Sequence, residues 1–190
     1  MIQAALTVEQ FLDTRMELPD AGQWTELIRG VAVSLEPPGV EHGDVVLNLS
    51  KAFSAYAHQH VDFPGYPCFD LGLLVERRPD TVFFPAACYF VDGTRFAEAD
   101  REITDTVPQL VIEVLSTNDR RVNLHDRTSA YLQQGVPILW HVDLSQRAVM
   151  VCGANCRPRR VTEFEMLSGD DWLPGFSIRV GDLFAPPKWA

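Results

Sequence analysis

Val111-Ile112-Glu113-Val114-Leu115-Ser116 is a run of apolar, mostly β-branched residues interrupted by one acid. A short run of this kind bounded by polar residues reads as a buried strand. A carboxylate inside such a strand is costly unless a cation, a metal or hydrogen bonds compensate it. Glu113 is therefore the first candidate functional residue, and the identity of its partners is the central question the sequence poses.

Working outward, Asp119 to Gln134 reads as a helix ending at Gly135. Ile138 to Asp143 and Ala148 to Cys152 read as a hairpin, and Arg160 to Leu167 as a last strand, with Leu183-Phe184 opening the tail. Upstream, Thr7 and Gln10 form a capping-box pattern before a helix from about Val8 to Arg15. Pro19 to Gly22 is a turn. Trp24 to Leu35 alternates around Gly30 as a tight hairpin. Val45, Leu49, Phe53 and Ala57 recur at helical spacing within Glu41 to His60. Leu71 to Val75 and Thr81 to Val91 read as strands around the polar turn Glu76 to Asp80. The order predicts a mixed α/β (α+β) sheet flanked by helices, as one domain over residues 1–190.

Bulk properties narrow the function classes. The chain has 190 residues, 46% of them hydrophobic and 22% charged, as expected of a globular domain with a sizeable core. No apolar stretch approaches a membrane span, and Met1 to Glu9 lacks the basic-then-apolar pattern of a leader, so a cytoplasmic location is expected. Four cysteines fit a reducing compartment. Cys152 and Cys156 have no second pair nearby and read as free thiols rather than zinc ligands. A net charge of −10 argues against a broad basic surface for duplex DNA. Two basic clusters, Arg120-Arg121 with Arg127 and Arg157 with Arg159 and Arg160, read as solvated faces or as small basic rims.

Several segments together resemble the Uma family. They are Glu26 to Gly30, Glu36-Pro37-Pro38-Gly39 with His42, Glu113 to Ser116, Tyr131, Gly135-Val136-Pro137, Trp140 with Val142-Asp143, and Leu173-Pro174-Gly175-Phe176. Each motif is weak alone. Their shared order covers the chain from about Thr7 to Phe184. The family comprises bacterial, often cyanobacterial, proteins described as restriction endonucleases, similar to the PD-(D/E)XK nuclease superfamily. The resemblance implies a restriction-endonuclease-like mixed β-sheet flanked by helices, with DNA as partner and Mg2+ or Mn2+ as cofactor if the chain is active. Such a metal polarises the phosphodiester and activates water. It is held by hard oxygen ligands, and a nearby lysine stabilises developing charge.

Carried over residue by residue, the metal-binding acid in the Glu-Val-Leu-Ser strand is Glu113. The family's lysine, four residues before the tyrosine, falls on Arg127. The family's first acid, after a proline, falls on Ala86, following Pro85. Both departures matter. Alanine offers no ligand, and arginine keeps the charge but cannot carry a proton. Asp80, after Pro79, reads as a turn residue rather than a replacement ligand. Asp92 would stand roughly 20 Å along an extended strand from Ala86.

The resemblance places Glu26 and His42 near the cleft. Glu26 either reaches a metal, orients Arg127 or is a cross-strand surface charge, and His42 either contacts phosphate or only begins a helix. His125 and His141 are expected to be structural, and His58 and His60 to favour a helix end. Ser116 lacks a nucleophile elbow and is expected to cap the following helix.

Three readings are open. One is a metal-dependent nuclease with Glu113, Arg127, Glu26 and His42 as catalytic residues. The second is a degenerate nuclease fold kept for binding or assembly, in which Glu113 pairs with Arg127. The third is an unrelated ligand-binding domain with a small anion against Arg127. A homodimer is expected, with Leu173-Pro174-Gly175-Phe176 as candidate contact. Phe83, Phe84, Trp140 and Leu173 are expected in core or interface.

Overall fold

The computed structural model describes residues 5–60, 65–93, 97–154 and 156–188. The chain opens with α1 (Val8–Arg15), whose first turn is closed by the reciprocal Thr7–Gln10 capping box. A 3-10 turn (Pro19–Gly22) leads to β1 (Thr25–Ile28) and β2 (Val31–Ser34). Gly30 turns this hairpin at φ 75°, and a Cβ there would collide with the Ala5 side chain. Then come α2 (Val40–Gln59), β3 (Tyr66–Phe69), β4 (Gly72–Glu76), β5 (Thr81–Phe83), β6 (Ala87–Phe90), β7 (Ile103–Thr104) and β8 (Leu110–Leu115). The second half adds α3 (Asn118–Val122), α4 (Leu124–Gln134), β9 (Ile138–Asp143), β10 (Ala148–Gly153), β11 (Cys156–Thr162), β12 (Met166–Ser168), β13 (Ser177–Arg179) and α5 (Val180–Leu183).

Two sheets carry the fold, in the orders β11-β10-β9-β8-β6-β3 and β2-β1-β5-β4-β7. β8 and β9 run parallel, joined by a crossover through α3 and α4. The period of two in β8 divides its side chains. Leu110, Ile112 and Val114 pack with Val45, Leu49, Phe53 and Tyr56 of α2. Val111 joins the other core, with Ala130 and Tyr131 of α4 and Leu73 of β4. Glu113 shares the parity of Val111 and so projects toward α4. A third cluster packs Val8 and Phe11 of α1 on Leu27, Leu74, Val82 and Phe84.

The mixed sheets and flanking helices match the expected architecture, and four of the segments named from the sequence differ locally. Thr81 to Val91 is not one strand. It leaves the five-stranded sheet after Phe83 and joins the six-stranded sheet at Ala87. Pro85 stands at the break, where a residue without an N–H cannot continue a ladder. Asp119 to Gln134 is two helices, divided at Asn123. The expected last strand, Arg160 to Leu167, is likewise split between β11 and β12 by a turn at residues 163–165. Leu183, expected to open the tail, instead ends α5 (Val180–Leu183).

The apolar residues named from the sequence (Phe83, Phe84, Trp140 and Leu173) are all buried in the core. Leu173 and Phe176 belong to the main cluster, which removes their side chains from any dimer contact at that segment. Among the described residues no helix is long and apolar enough to cross a membrane.

Candidate functional site

Glu113 is 1% exposed, and α4 supplies the partners of its Oε1. Its Oε1 accepts hydrogen bonds from Arg127 Nε (3.0 Å), Arg127 NH2 (2.6 Å) and the Tyr131 hydroxyl (2.7 Å). Arg127 and Tyr131 are four apart on α4 and therefore share a face. The Arg127 fork continues from NH1 to Glu26 Oε2 of β1 at 2.5 Å. Glu26 in turn accepts the Phe84 amide at 2.9 Å through Oε1, just where the chain crosses between sheets. The Arg127 guanidinium lies 4.3 Å over the Phe83 ring, a favourable cation–π contact. One arginine thus binds β8, β1 and the end of β5 together.

The charges respond accordingly. Burial alone would raise the Glu113 carboxyl, but Arg127, Arg120 and the hydrogen bonds from Tyr131 and Arg127 outweigh it and hold it below the usual range. Burial would lower Arg127, but Glu113 and Glu26 reverse this and fix the guanidinium as a cation. Burial and the neighbouring Glu113 push the Tyr131 phenol up, so it remains a donor.

The ion pair expected between Glu113 and Arg127 is present, and of the roles weighed for Glu26 the structure shows the one that orients Arg127. The other expectations for these arginines change. Arg120 and Arg127 are buried and not a solvated face. Arg121 reaches Asp143 Oδ1 (3.0 Å) and the Leu115 carbonyl (2.7 Å). No anion could displace the two carboxylates from Arg127 without stranding them.

His42 lies on the opposite side of β8, on α2. Its Nδ1 is 3.1 Å from Ser116 Oγ, so Ser116 bonds to this ring and does not cap α3. Burial first, and then the Arg120 charge, lower the imidazole to about 4 despite Glu113. At neutral pH it is an uncharged ring.

A cavity of about 210 Å³ opens beside His42, lined also by Trp24, Asp70, Pro85, Ala86 and Arg120. From the sequence Arg120 was named only within a basic cluster that could rim a site, and Asp70 was not singled out. Arg120 is 6% exposed, and its NH1 stands 3.8 Å from Glu113 Oε2. It is aimed by Asp119, whose Oδ1 accepts the Arg120 amide (2.8 Å) and the Thr117 hydroxyl, while Oδ2 accepts the Glu36 amide (2.7 Å). Asp70 sits at φ 56° just past β3. Asp70 and Ala86 each lie one residue beyond the Phe69–Ala87 pair, and both line this cavity.

The remaining candidates are structural. Asp80 lies in the turn, as expected. Its carboxylate accepts the Val8 amide (2.9 Å) and the Arg78 amide (3.2 Å). Asp92 is exposed beyond β6. His141 pairs with Glu113 in register, is buried, and lies 3.3 Å from Thr128 Oγ and 3.9 Å from Cys152 Sγ. The Cys156 side chain lies outside the described residues. His58 and His60 each contact a carbonyl of the last turns of α2. Arg159 pairs with Asp170 at 2.8 Å.

The comparisons with known proteins agree with this architecture. A crystal structure of a "putative nuclease" of the DUF820 family from Anabaena variabilis superposes with a TM-score of 0.74, covering 94% of this chain and 97% of that one at 16% identity. At that identity the likeness is one of fold. No curated protein matches the chain. The family described as "Putative restriction endonuclease", Uma2, matches residues 8–181. A nuclease-type mixed α/β fold, with the Glu-Val-Leu-Ser strand at its centre and a match over nearly the whole chain, shows that this protein belongs to the Uma2 family.

Proposed function

We propose that this chain is a nuclease-fold protein whose hydrolytic centre has been replaced by a fixed ion cluster, and that it binds rather than cleaves. The observation that carries the reading is the triple hydrogen bonding of Glu113 Oε1 together with the bridge from Arg127 to Glu26. A magnesium ion needs carboxylate oxygens free to face it. Here one oxygen of Glu113 is saturated and the other faces the Arg120 cation. Glu26 has one oxygen on Arg127 and one on a backbone amide. Position 86 offers a methyl group. Among the described residues no group of three or more His, Cys, Asp or Glu is arranged to hold a metal ion. The donor set does not fit the divalent cation of the superfamily, so no hydrolytic step is derived through it.

The cations themselves support the same reading. Arg127 takes the charge-balancing role that a metal plays between two acids. It cannot supply or accept a proton, because guanidinium stays protonated in proteins. The fold survives such a change because scaffold and chemistry are separable.

The test is cleavage of supercoiled plasmid and single-stranded DNA by the native chain in Mg2+ and in Mn2+, beside Glu113→Ala. The expected result is no metal-dependent product from either protein. Product from the native chain that disappears in Glu113→Ala would overturn the proposal.

A further inference from the structure

We propose that the cavity over Ala86 is a metal-free site for a phosphate oxyanion, with Arg120 as its cation. The inference rests on the binding reading above and names the ligand class for it. A superfamily nuclease meets an internal phosphodiester through a metal; this site would take a phosphate group directly on arginine.

Arg120 is the starting observation. Arginine has five N–H donors, and Arg127 shows what full use of them looks like. The Arg120 guanidinium donates no hydrogen bond among the described residues. Its Nε is buried without a partner, and its nearest carboxylate oxygen, at 3.8 Å, is beyond hydrogen-bond reach. Buried donors left unmade are costly, and each such case calls for an explanation.

The neighbourhood supplies one. Ala86 lines the same cavity. A carboxylate at that position, as in the family pattern, would offer oxygens to this side of the cluster. With alanine there, the acceptors come from solvent or from a ligand that displaces it. The space of about 210 Å³ is about seven times the liquid volume of one water, roughly 30 Å³, enough for a phosphate group and part of what it is attached to. Planar, multi-donor arginine suits phosphate oxygens. His42 adds a second donor. In the tautomer whose Nδ1 accepts from Ser116 Oγ, 3.1 Å away, Nε2 carries the proton and is the donor a phosphate oxygen would meet. Trp24, partly exposed on the cavity wall, offers a flat apolar face to a base or sugar. Asp70 at the exposed rim is the opposing charge, and it sets the expected effect of its removal.

The experiment is isothermal titration in EDTA at low salt, with inorganic phosphate and with a dinucleotide carrying either a 5′-phosphate or a 5′-hydroxyl. The expected result is one phosphate site per chain, at least tenfold weaker in Arg120→Gln and several-fold tighter in Asp70→Asn. Ala86→Asp should abolish binding by giving Arg120 an internal acceptor, and near-ultraviolet circular dichroism checks that each variant folds. Should Arg120→Gln fail to fold, the opposite responses of Ala86→Asp and Asp70→Asn decide the matter. Preference for the 5′-phosphorylated dinucleotide over free phosphate, lost in Trp24→Ala, assigns the site to nucleic-acid ends; equal affinity assigns it to free phosphate. No phosphate binding by the native chain, or binding indifferent to positions 86 and 120, would overturn the proposal while leaving the absence of cleavage intact. Binding of Mn2+ that needs Asp70 would overturn it in favour of a relocated metal site.

Discussion

At the scale of single residues, Arg127 does what a lysine could not. A lysine ammonium is one point charge, whereas the arginine fork donates to Glu113 through two nitrogens and to Glu26 through the third. Removing it leaves two buried carboxylates uncompensated, and breaking a buried pair in this way typically costs about 3–5 kcal/mol. Arg127→Met should therefore lose about that much in urea unfolding, and the triple change Glu26→Gln, Arg127→Met, Glu113→Gln should recover part of it. Equal stability of Arg127→Met and the native chain would contradict this. His42 yields a prediction in pH. Its folded value of about 4 lies below the unfolded value of about 6.5. Between these the unfolded chain holds a proton that the folded chain does not, so stability falls as pH drops through that window. An NMR titration should find this imidazole neutral at pH 6, and His42→Gln should flatten the slope of stability between about pH 6.5 and 4. A ring titrating near 6.5 would contradict the burial. Glu113 was legible in the sequence because one acid in an apolar strand demands compensation, and Arg127 through the Uma resemblance, four residues before Tyr131. Arg120 was visible only as one of a basic cluster, since its aim depends on where a helix breaks, and Asp70 was not, since its place depends on the positive φ that follows β3.

At the scale of elements, the interruptions position the site. Pro85 lets the chain pass from β5 to β6, and the Phe84 amide freed at the crossing is taken up by Glu26. The break at Asn123 separates α3, which carries Arg120, from α4, which carries Arg127, and both arginines still reach Glu113. The apolar content of Thr81 to Val91 and the helical spacing of Asp119 to Gln134 conceal these breaks, since neither pattern records which sheet or axis a segment joins. Asp80 serves as a further joint. Its carboxylate holds the first amide of α1, and its carbonyl accepts the Gly30 amide at 2.7 Å. Asp80→Ala should cost about 1–3 kcal/mol through the buried amide it leaves unpaired, and phosphate binding by the folded variant should be unchanged. Loss of binding with stability intact would instead mean that Asp80 is a ligand.

Across the whole molecule, the two sheets and the helices between them carry the family fold. The architecture was readable because strand and helix periods, caps and turns agree with one another along most of the chain. The short strands β3, β7 and β13 were not, being too brief to show a period and held by their partners. A net charge of −10, with Arg120 and Arg127 buried, leaves little positive charge for a surface that would track a duplex. Arg127 bridges Glu113 and Glu26, and the proposal that it stands where a metal would sit turns on this. Mn2+ binding followed by electron paramagnetic resonance at pH 7.5, on the native chain and on Glu113→Gln, tests it most directly. The expected result is no site-specific binding to either protein; one tightly bound Mn2+ per native chain, lost in Glu113→Gln, would contradict it.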